Sequence, residues 1–143
     1  MIRAIAVAVV LFYATSATAQ DMSISKAYIP LTPLGVRAHA AYLTLSNTGG
    51  KNRSLIGVAA QGYGTAHLHQ SKEMNGVAAM SALHQLEIAA GHTVVLAPGG
   101  LHIMLMQPAT PKVVGASVLL TLHFANGKSI TTQATVTQRD GGS

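Results

Sequence analysis

Short runs of alternating apolar and polar residues recur along this chain, a pattern typical of β-strands, whose side chains point to opposite faces in turn. Turn-forming clusters of Gly, Pro and Asn, such as Asn126-Gly127, separate these runs, and the only support for a helix is a single turn at 83–89. The pattern predicts an all-β protein, an antiparallel sandwich or barrel. The predicted strands are 23–29, 40–47, 54–60, 65–71, 77–84, 92–97, 101–106, 116–124 and 129–137.

The Asn75-Gly76 pair predicts a tight hairpin between two of these strands. If both residues are the central pair of a type I′ turn, the numbers of opposed residues sum to 151. Ser71 then faces Met80, and His69 lies diagonal to Met80 on the same face of the hairpin. Two long side chains in that relation can close on one atom between them.

The first twenty residues differ from the rest of the chain. A basic start at Arg3 is followed by an apolar run at 4–13 and by the small-residue pattern at 17–19. This arrangement predicts a secretory signal peptide at 1–19, cleaved after Ala19, and a single domain at 20–143. A retained membrane anchor is the alternative, although the apolar run is shorter than the roughly 18 residues that a spanning helix needs.

Composition excludes several classes of site. The chain contains no cysteine, which rules out thiol nucleophiles, iron–sulfur clusters, thiolate zinc sites and the blue-copper centre. Removal of Arg3 with the signal leaves eight basic and four acidic residues. The basic residues are scattered singly without an aromatic ladder, which argues against nucleic-acid binding. Four acidic residues and the lack of a nucleophile motif also disfavour an enzyme.

Seven histidines and six methionines are the unusual feature of the composition. In the segment GGLHIMLM at 99–106, His102, Met104 and Met106 share one strand face, while the apolar residues between them take the other. Imidazole nitrogen and thioether sulfur together suit a soft ion of low charge, and copper(I) is the first-row ion of that kind. One His-x-Met pair is nevertheless a weak signal, because a methionine at a buried position is commonly a packing residue.

The spacing over a longer stretch is far more specific. Met80 follows His69 after ten residues, and His102 follows Met80 after twenty-one. Met104 follows His102 after one more residue. This H-x10-M-x21-H-x-M spacing resembles the motif of the PCuAC family of periplasmic copper chaperones. Four segments resemble that family's blocks in the same order: AYLTLSNTGG (41–50), LIGVAA (55–60), HLHQSKEMNGVAAM (67–80) and LAPGGLHIMLM (96–106).

The resemblance implies a periplasmic protein with a cupredoxin-like Greek-key β-sandwich that is not an enzyme. It also implies delivery of copper to the copper centres of respiratory oxidases, with an oxidase subunit or a Sco-type protein as partner. The ligands to one copper(I) would be His69, Met80, His102 and Met104. The chain departs from many relatives at Gln70, where they carry methionine. Some relatives also have a His/Met-rich tail, whereas this sequence ends in TQRDGGS, so no copper site is predicted there.

Other residues and other functions stay open at this stage. His67 shares a strand face with His69, so it is either a surface residue or an auxiliary ligand in a weaker copper(II) complex. Met106 is either an auxiliary ligand or a packing residue. The remaining histidines lack a partner at ligand spacing. Rival functions are copper tolerance by sequestration, a copper electron carrier or oxidoreductase, and a metal-free binding module.

Overall fold

The computed structural model describes residues 21–139, and within this range every regular element is a β-strand. The predicted signal peptide and residues 140–143 lie outside the described residues. The ten strands are β1 Met22–Pro30, β2 Ala38–Asn47, β3 Arg53–Ala60, β4 Tyr63–Met74, β5 Val77–Ala82, β6 Leu86–Ile88, β7 Thr93–Leu96, β8 Leu101–Pro108, β9 Ser117–Phe124 and β10 Ser129–Thr137. No helix in the described range is long and apolar enough to cross a membrane.

All nine predicted strands are present, and the helical turn predicted at 83–89 is wrong. The strand predicted at 77–84 ends at Ala82, and β6 follows at Leu86–Ile88. Residue Ile88 is fully buried and pairs with Arg53 of β3. Three residues are too few to display a strand pattern in the sequence, so long-range pairing decides this segment.

The strands form two layers that share β2. One layer contains β5, β4, β8 and the beginning of β2, which pairs with β8 from Ala38 to Ala41. The other contains the rest of β2 followed by β1, β10, β9, β3 and β6, with β7 beside β2. The predicted antiparallel order holds for every strand pair except β1 and β10, which run parallel.

The two layers enclose a single apolar core. Strand β9 contributes Leu120 and Leu122, both fully buried, and β8 contributes Ile103 and Leu105 from the opposite layer. Each such aliphatic side chain stabilises the fold by about 1.5–3 kcal/mol when removed from water. Since no cysteine is present, this core and the strand ladders must hold the sandwich together without disulfides.

The β4–β5 hairpin extends beyond the core. Its turn residues Asn75 and Gly76 have φ angles of 52° and 78°, which is the left-handed pair that a type I′ turn requires. All six residues of β5 are exposed. Among the described residues β5 is hydrogen-bonded only to β4, so it forms an edge of the first layer.

Candidate metal centre

Strand β8 divides its side chains as the alternating pattern predicts. Ile103 and Leu105 are fully buried in the core, while His102, Met104 and Met106 lie on the outer face of the first layer. Residue His102 is only 6% exposed, although it belongs to that outer face. Its imidazole is therefore largely shielded from water.

The β4–β8 register places His69 beside His102. His69 lies directly opposite His102, and His67 lies directly opposite Met104. The ring centroids of His69 and His102 are 5.8 Å apart, with the ring planes inclined by 35°. The two imidazoles predicted as ligands thus form a cross-strand pair on one face.

The β4–β5 register confirms the predicted position of Met80. Ser71 pairs with Met80 and His69 pairs with Ala82, which places Met80 diagonal to His69 on the same face. Met80 is 54% exposed. The predicted ligands consequently follow a diagonal across three adjacent strands, with one methionine on each side of the histidine pair.

A backbone turn fixes the orientation of the His102 ring. Gly99 has a φ of 83°, and the chain reverses so that the Gly100 carbonyl accepts a hydrogen bond from His102 Nδ1 at 3.1 Å. A proton on Nδ1 leaves Nε2 as the nitrogen with a free lone pair. Pro98, Gly99 and Gly100 are turn-forming residue types, but the role of the Gly100 carbonyl depends on the folded geometry.

His69 presents the opposite situation, because its Nδ1 is buried and has no hydrogen-bond partner among the residues described. Burial lowers the pKa of His69, and the neighbouring His102 and His67 lower it further. A neutral imidazole with an unpaired nitrogen is costly to bury in an apo fold. It is also the form of histidine that binds a metal ion.

The described residues contain no group of three or more His, Cys, Asp or Glu side chains arranged to hold a metal ion. Thioether sulfur is therefore the candidate donor that would extend the histidine pair to a site of three or four ligands. Met80 and Met104 occupy the positions beside the pair, and their sulfur favours copper(I) over zinc, calcium or magnesium.

The auxiliary candidates lie on the edge of this arrangement. His67 is exposed beside Met104. Met106 is half-buried on the outer face between Thr65 and Ala38. It therefore lies outside the central core but is partly covered on the outer face, so it stays a candidate both for packing there and for an auxiliary ligand.

One histidine outside the candidate centre is buried, whereas the others are on the surface. His39 is buried, with Nδ1 2.9 Å from the Tyr63 hydroxyl and Nε2 3.2 Å from the Val36 carbonyl. Sequence reasoning missed this pairing, because Tyr63 is 24 residues away. The exposed histidines and methionines away from the candidate centre are His84, His92, His123 and Met74.

Two solved structures share the fold of this chain. The chain superposes with a TM-score of 0.69 on the solution structure of CuI-DR1885 from Deinococcus radiodurans, at 31% identity over 91% of this chain and 89% of that one. The apo PCuAC domain from PmoF1 gives 0.70 at 18% identity, over 83% and 95% of the two chains. The protein thus has the cupredoxin-like β-sandwich fold of these PCuAC domains, as the sequence resemblance predicts.

The chain belongs to the LpqE-like family, described as "Putative lipoprotein LpqE-like", whose model matches residues 22–136. A Leifsonia xyli subsp. xyli protein named "Putative lipoprotein Lxx21020" is 33% identical over 112 residues. The matched region is 78% of this chain and 66% of the relative. The chain therefore spans slightly less than two thirds of that relative's length.

Proposed function

We propose that this protein is an exported copper(I) chaperone that binds one copper(I) ion and carries it to an acceptor protein. The proposed ligands are His69, Met80, His102 and Met104. The observation that carries the proposal is the cross-strand pair of His69 and His102, whose rings lie 5.8 Å apart between two methionines. Solved relatives named as copper-bound, CuI-DR1885 and the PCuAC domain from PmoF2, support it.

The donor set accounts for both binding and release. Two neutral imidazoles and two thioethers favour copper(I), and none of these ligands forms a disulfide in an oxidising compartment. His102 is held by the Gly100 carbonyl, which supplies a rigid half of the site. Met80 lies on an edge strand and is 54% exposed, so an incoming ligand of an acceptor can displace it first.

A weaker copper(II) complex is part of the proposal. Exposed His67 is the candidate third imidazole for it, whereas Met106, a thioether on the same face, is an auxiliary candidate for copper(I). Copper(II) prefers nitrogen and oxygen ligands to thioether sulfur. Loss of His67 should therefore affect copper(II) binding more than copper(I) binding.

The proposed cellular role is delivery of copper to respiratory oxidases outside the cytoplasm, in the periplasm. An oxidase subunit or a Sco-type protein is the proposed acceptor. The names of the family and of the Leifsonia relative, both lipoproteins, support an extracytoplasmic location. Sequestration of copper without delivery is the alternative role, and a transfer assay to a purified oxidase copper domain distinguishes the two.

Anaerobic titration of residues 20–143 with copper(I) against a competing chelator tests the proposal. We expect one ion per chain, and a large loss of affinity in His69→Ala and His102→Ala. His123→Ala and Met74→Ala are matched controls, because both side chains are exposed away from the site. A stoichiometry near zero would instead indicate a metal-free binding module.

A further inference from the structure

Two adjacent loops form one end of the sandwich, which we call the basic end: residues 31–37 between β1 and β2, and residues 109–116 between β8 and β9. The β2–β8 ladder brings the loops together, because β2 begins where β8 ends. The backbone amide of Gln107 donates to the Arg37 carbonyl at 3.1 Å. Both loops line one cavity of about 270 Å³.

Apolar side chains project from both loops. Leu34 is 89% exposed and Val113 is 65% exposed. Val36 and Val114 are also exposed, so the two loops hold four of the large apolar side chains that the described fold leaves in water. Leu34 stands between Pro33 and Gly35 at the rim of that cavity, with nearly all of its side chain in water.

Positive charge accompanies these apolar residues. Arg37 and Lys112 line the cavity between the loops, and Arg139 lines a second cavity on the other side of loop 31–37. No acidic residue lines either cavity. The acidic residues of the described range lie on other elements: Asp21, Glu73 and Glu87.

The candidate metal centre lies elsewhere on the molecule. Strand β8 runs from His102 at the centre to Pro108 beside the basic end. Six residues of extended chain span about 20 Å. A partner bound at the basic end therefore leaves the metal ligands uncovered, and none of those ligands belongs to either loop.

We propose that the basic end docks the protein on an anionic phospholipid bilayer. Leu34 and Val113 enter the boundary between headgroups and acyl chains, while Arg37 and Lys112 contact the headgroup phosphates. Protruding apolar side chains flanked by cations suit a deformable anionic interface, whereas an acidic protein would need a pocket shaped for each protrusion. This inference is independent of copper binding and adds a location to the proposed function.

Sedimentation of residues 20–143 with lipid vesicles tests the inference. We expect binding to an equal mixture of phosphatidylglycerol and phosphatidylcholine, weakening as salt rises, and little binding to phosphatidylcholine alone. Arg37→Gln and Lys112→Gln should each reduce binding about fivefold, the effect of one cation near an anionic bilayer. Leu34→Asn should reduce binding without changing its salt dependence.

Val95→Asn is the matched control, because Val95 is 58% exposed on β7, outside both loops. Circular dichroism verifies that each variant keeps the wild-type fold. Equal binding to both kinds of vesicle, or equal losses in Leu34→Asn and Val95→Asn, would overturn the inference. Binding to soluble polyglutamate but not to vesicles would also overturn it, and would identify an acidic protein as the partner.

Discussion

At the scale of single residues, Met104 is the side chain that we propose sets the preference between the oxidation states of copper. Its sulfur is beside His102 on one strand face, and thioether sulfur prefers copper(I). We expect Met104→Ala to weaken copper(I) binding at least about tenfold, a loss that even an outer-sphere change can cause. Copper(II) binding should weaken less, and chelator competition in both oxidation states measures the difference.

The control for this change is Met106→Ala, two residues further along the same face. Met106 is half-buried between Ala38 and Thr65, so its loss should lower stability more than copper(I) affinity. Equal losses for copper(I) and copper(II) in Met104→Ala would contradict the assignment of this thioether as the ligand that sets the oxidation state.

The buried His39 predicts how the stability of the apo fold depends on pH. Burial lowers the pKa of His39, and Lys112 lowers it further, whereas the hydrogen bond to the Val36 carbonyl opposes the decrease. As pH falls below about 6.5, the unfolded chain takes up a proton at this residue that the folded chain does not. The free energy of unfolding should therefore fall in acid, and His69 acts in the same direction.

Urea unfolding of the apo protein at about pH 7.5 and about pH 5.5, on either side of the ordinary histidine pKa, measures this effect. His39→Gln should make the free energy of unfolding less dependent on pH. His123→Gln should leave the dependence unchanged, because His123 is exposed. A wild-type protein that is equally stable at both pH values would show that His39 titrates normally.

The sequence predicts which side chains share a strand face, but it does not predict their hydrogen bonds. Alternation along β8 predicted that His102 and Met104 share a face, because strand geometry is local. The unpartnered nitrogen of His69 and the hydrogen bond to Gly100 depend on which atoms the fold brings near. The Tyr63 contact of His39 is non-local for the same reason.

At the scale of elements, the Asn75-Gly76 turn determines where Met80 lies. Gly76 has a φ of 78°, and a side chain in the left-handed region costs about 1–2 kcal/mol. We expect Gly76→Ala to lower the free energy of unfolding by about that amount and to weaken copper(I) binding, since it disturbs the strand that carries Met80. Chemical unfolding and chelator competition measure the two effects.

Gly50→Ala is the control for the turn, because an added Cβ at Gly50 meets no atom within 4 Å and its backbone is not left-handed. It should leave both measurements unchanged. A Gly76→Ala variant with wild-type copper(I) affinity would mean that the hairpin register tolerates a strained turn.

The elements themselves were predictable where their signals are local. The Asn75-Gly76 pair predicted the register of β4 and β5, and the structure confirms it. A two-residue turn allows the two strands only one register. Strand β6 and the parallel pairing of β1 with β10 were not predictable. Both depend on partners far away in the sequence, and nothing in three residues or in a single strand encodes them.

At the scale of the whole molecule, the candidate centre spans three strands of the first layer, from the exposed edge strand β5 through β4 to β8. Met80 and Met104 are two strands and four residues apart along the register, which on a flat sheet is about 17 Å between Cα atoms. Two methionine side chains cannot both reach one ion across that span. We therefore expect shared coordination to curl the β4–β5 hairpin towards β8, away from that flat arrangement.

Hydrogen exchange should detect this curling as a change confined to one part of the fold. In the apo protein, β5 amides should exchange rapidly, because all six residues are exposed on an edge strand. Copper(I) should slow exchange in β5 and at the Asn75-Gly76 turn, while amides of β9 and β10 change little. Met80→Ala should remove the protection of β5 even at saturating copper(I). Unchanged exchange in wild-type β5 at saturation would mean that copper(I) is bound without Met80 and that the hairpin stays open.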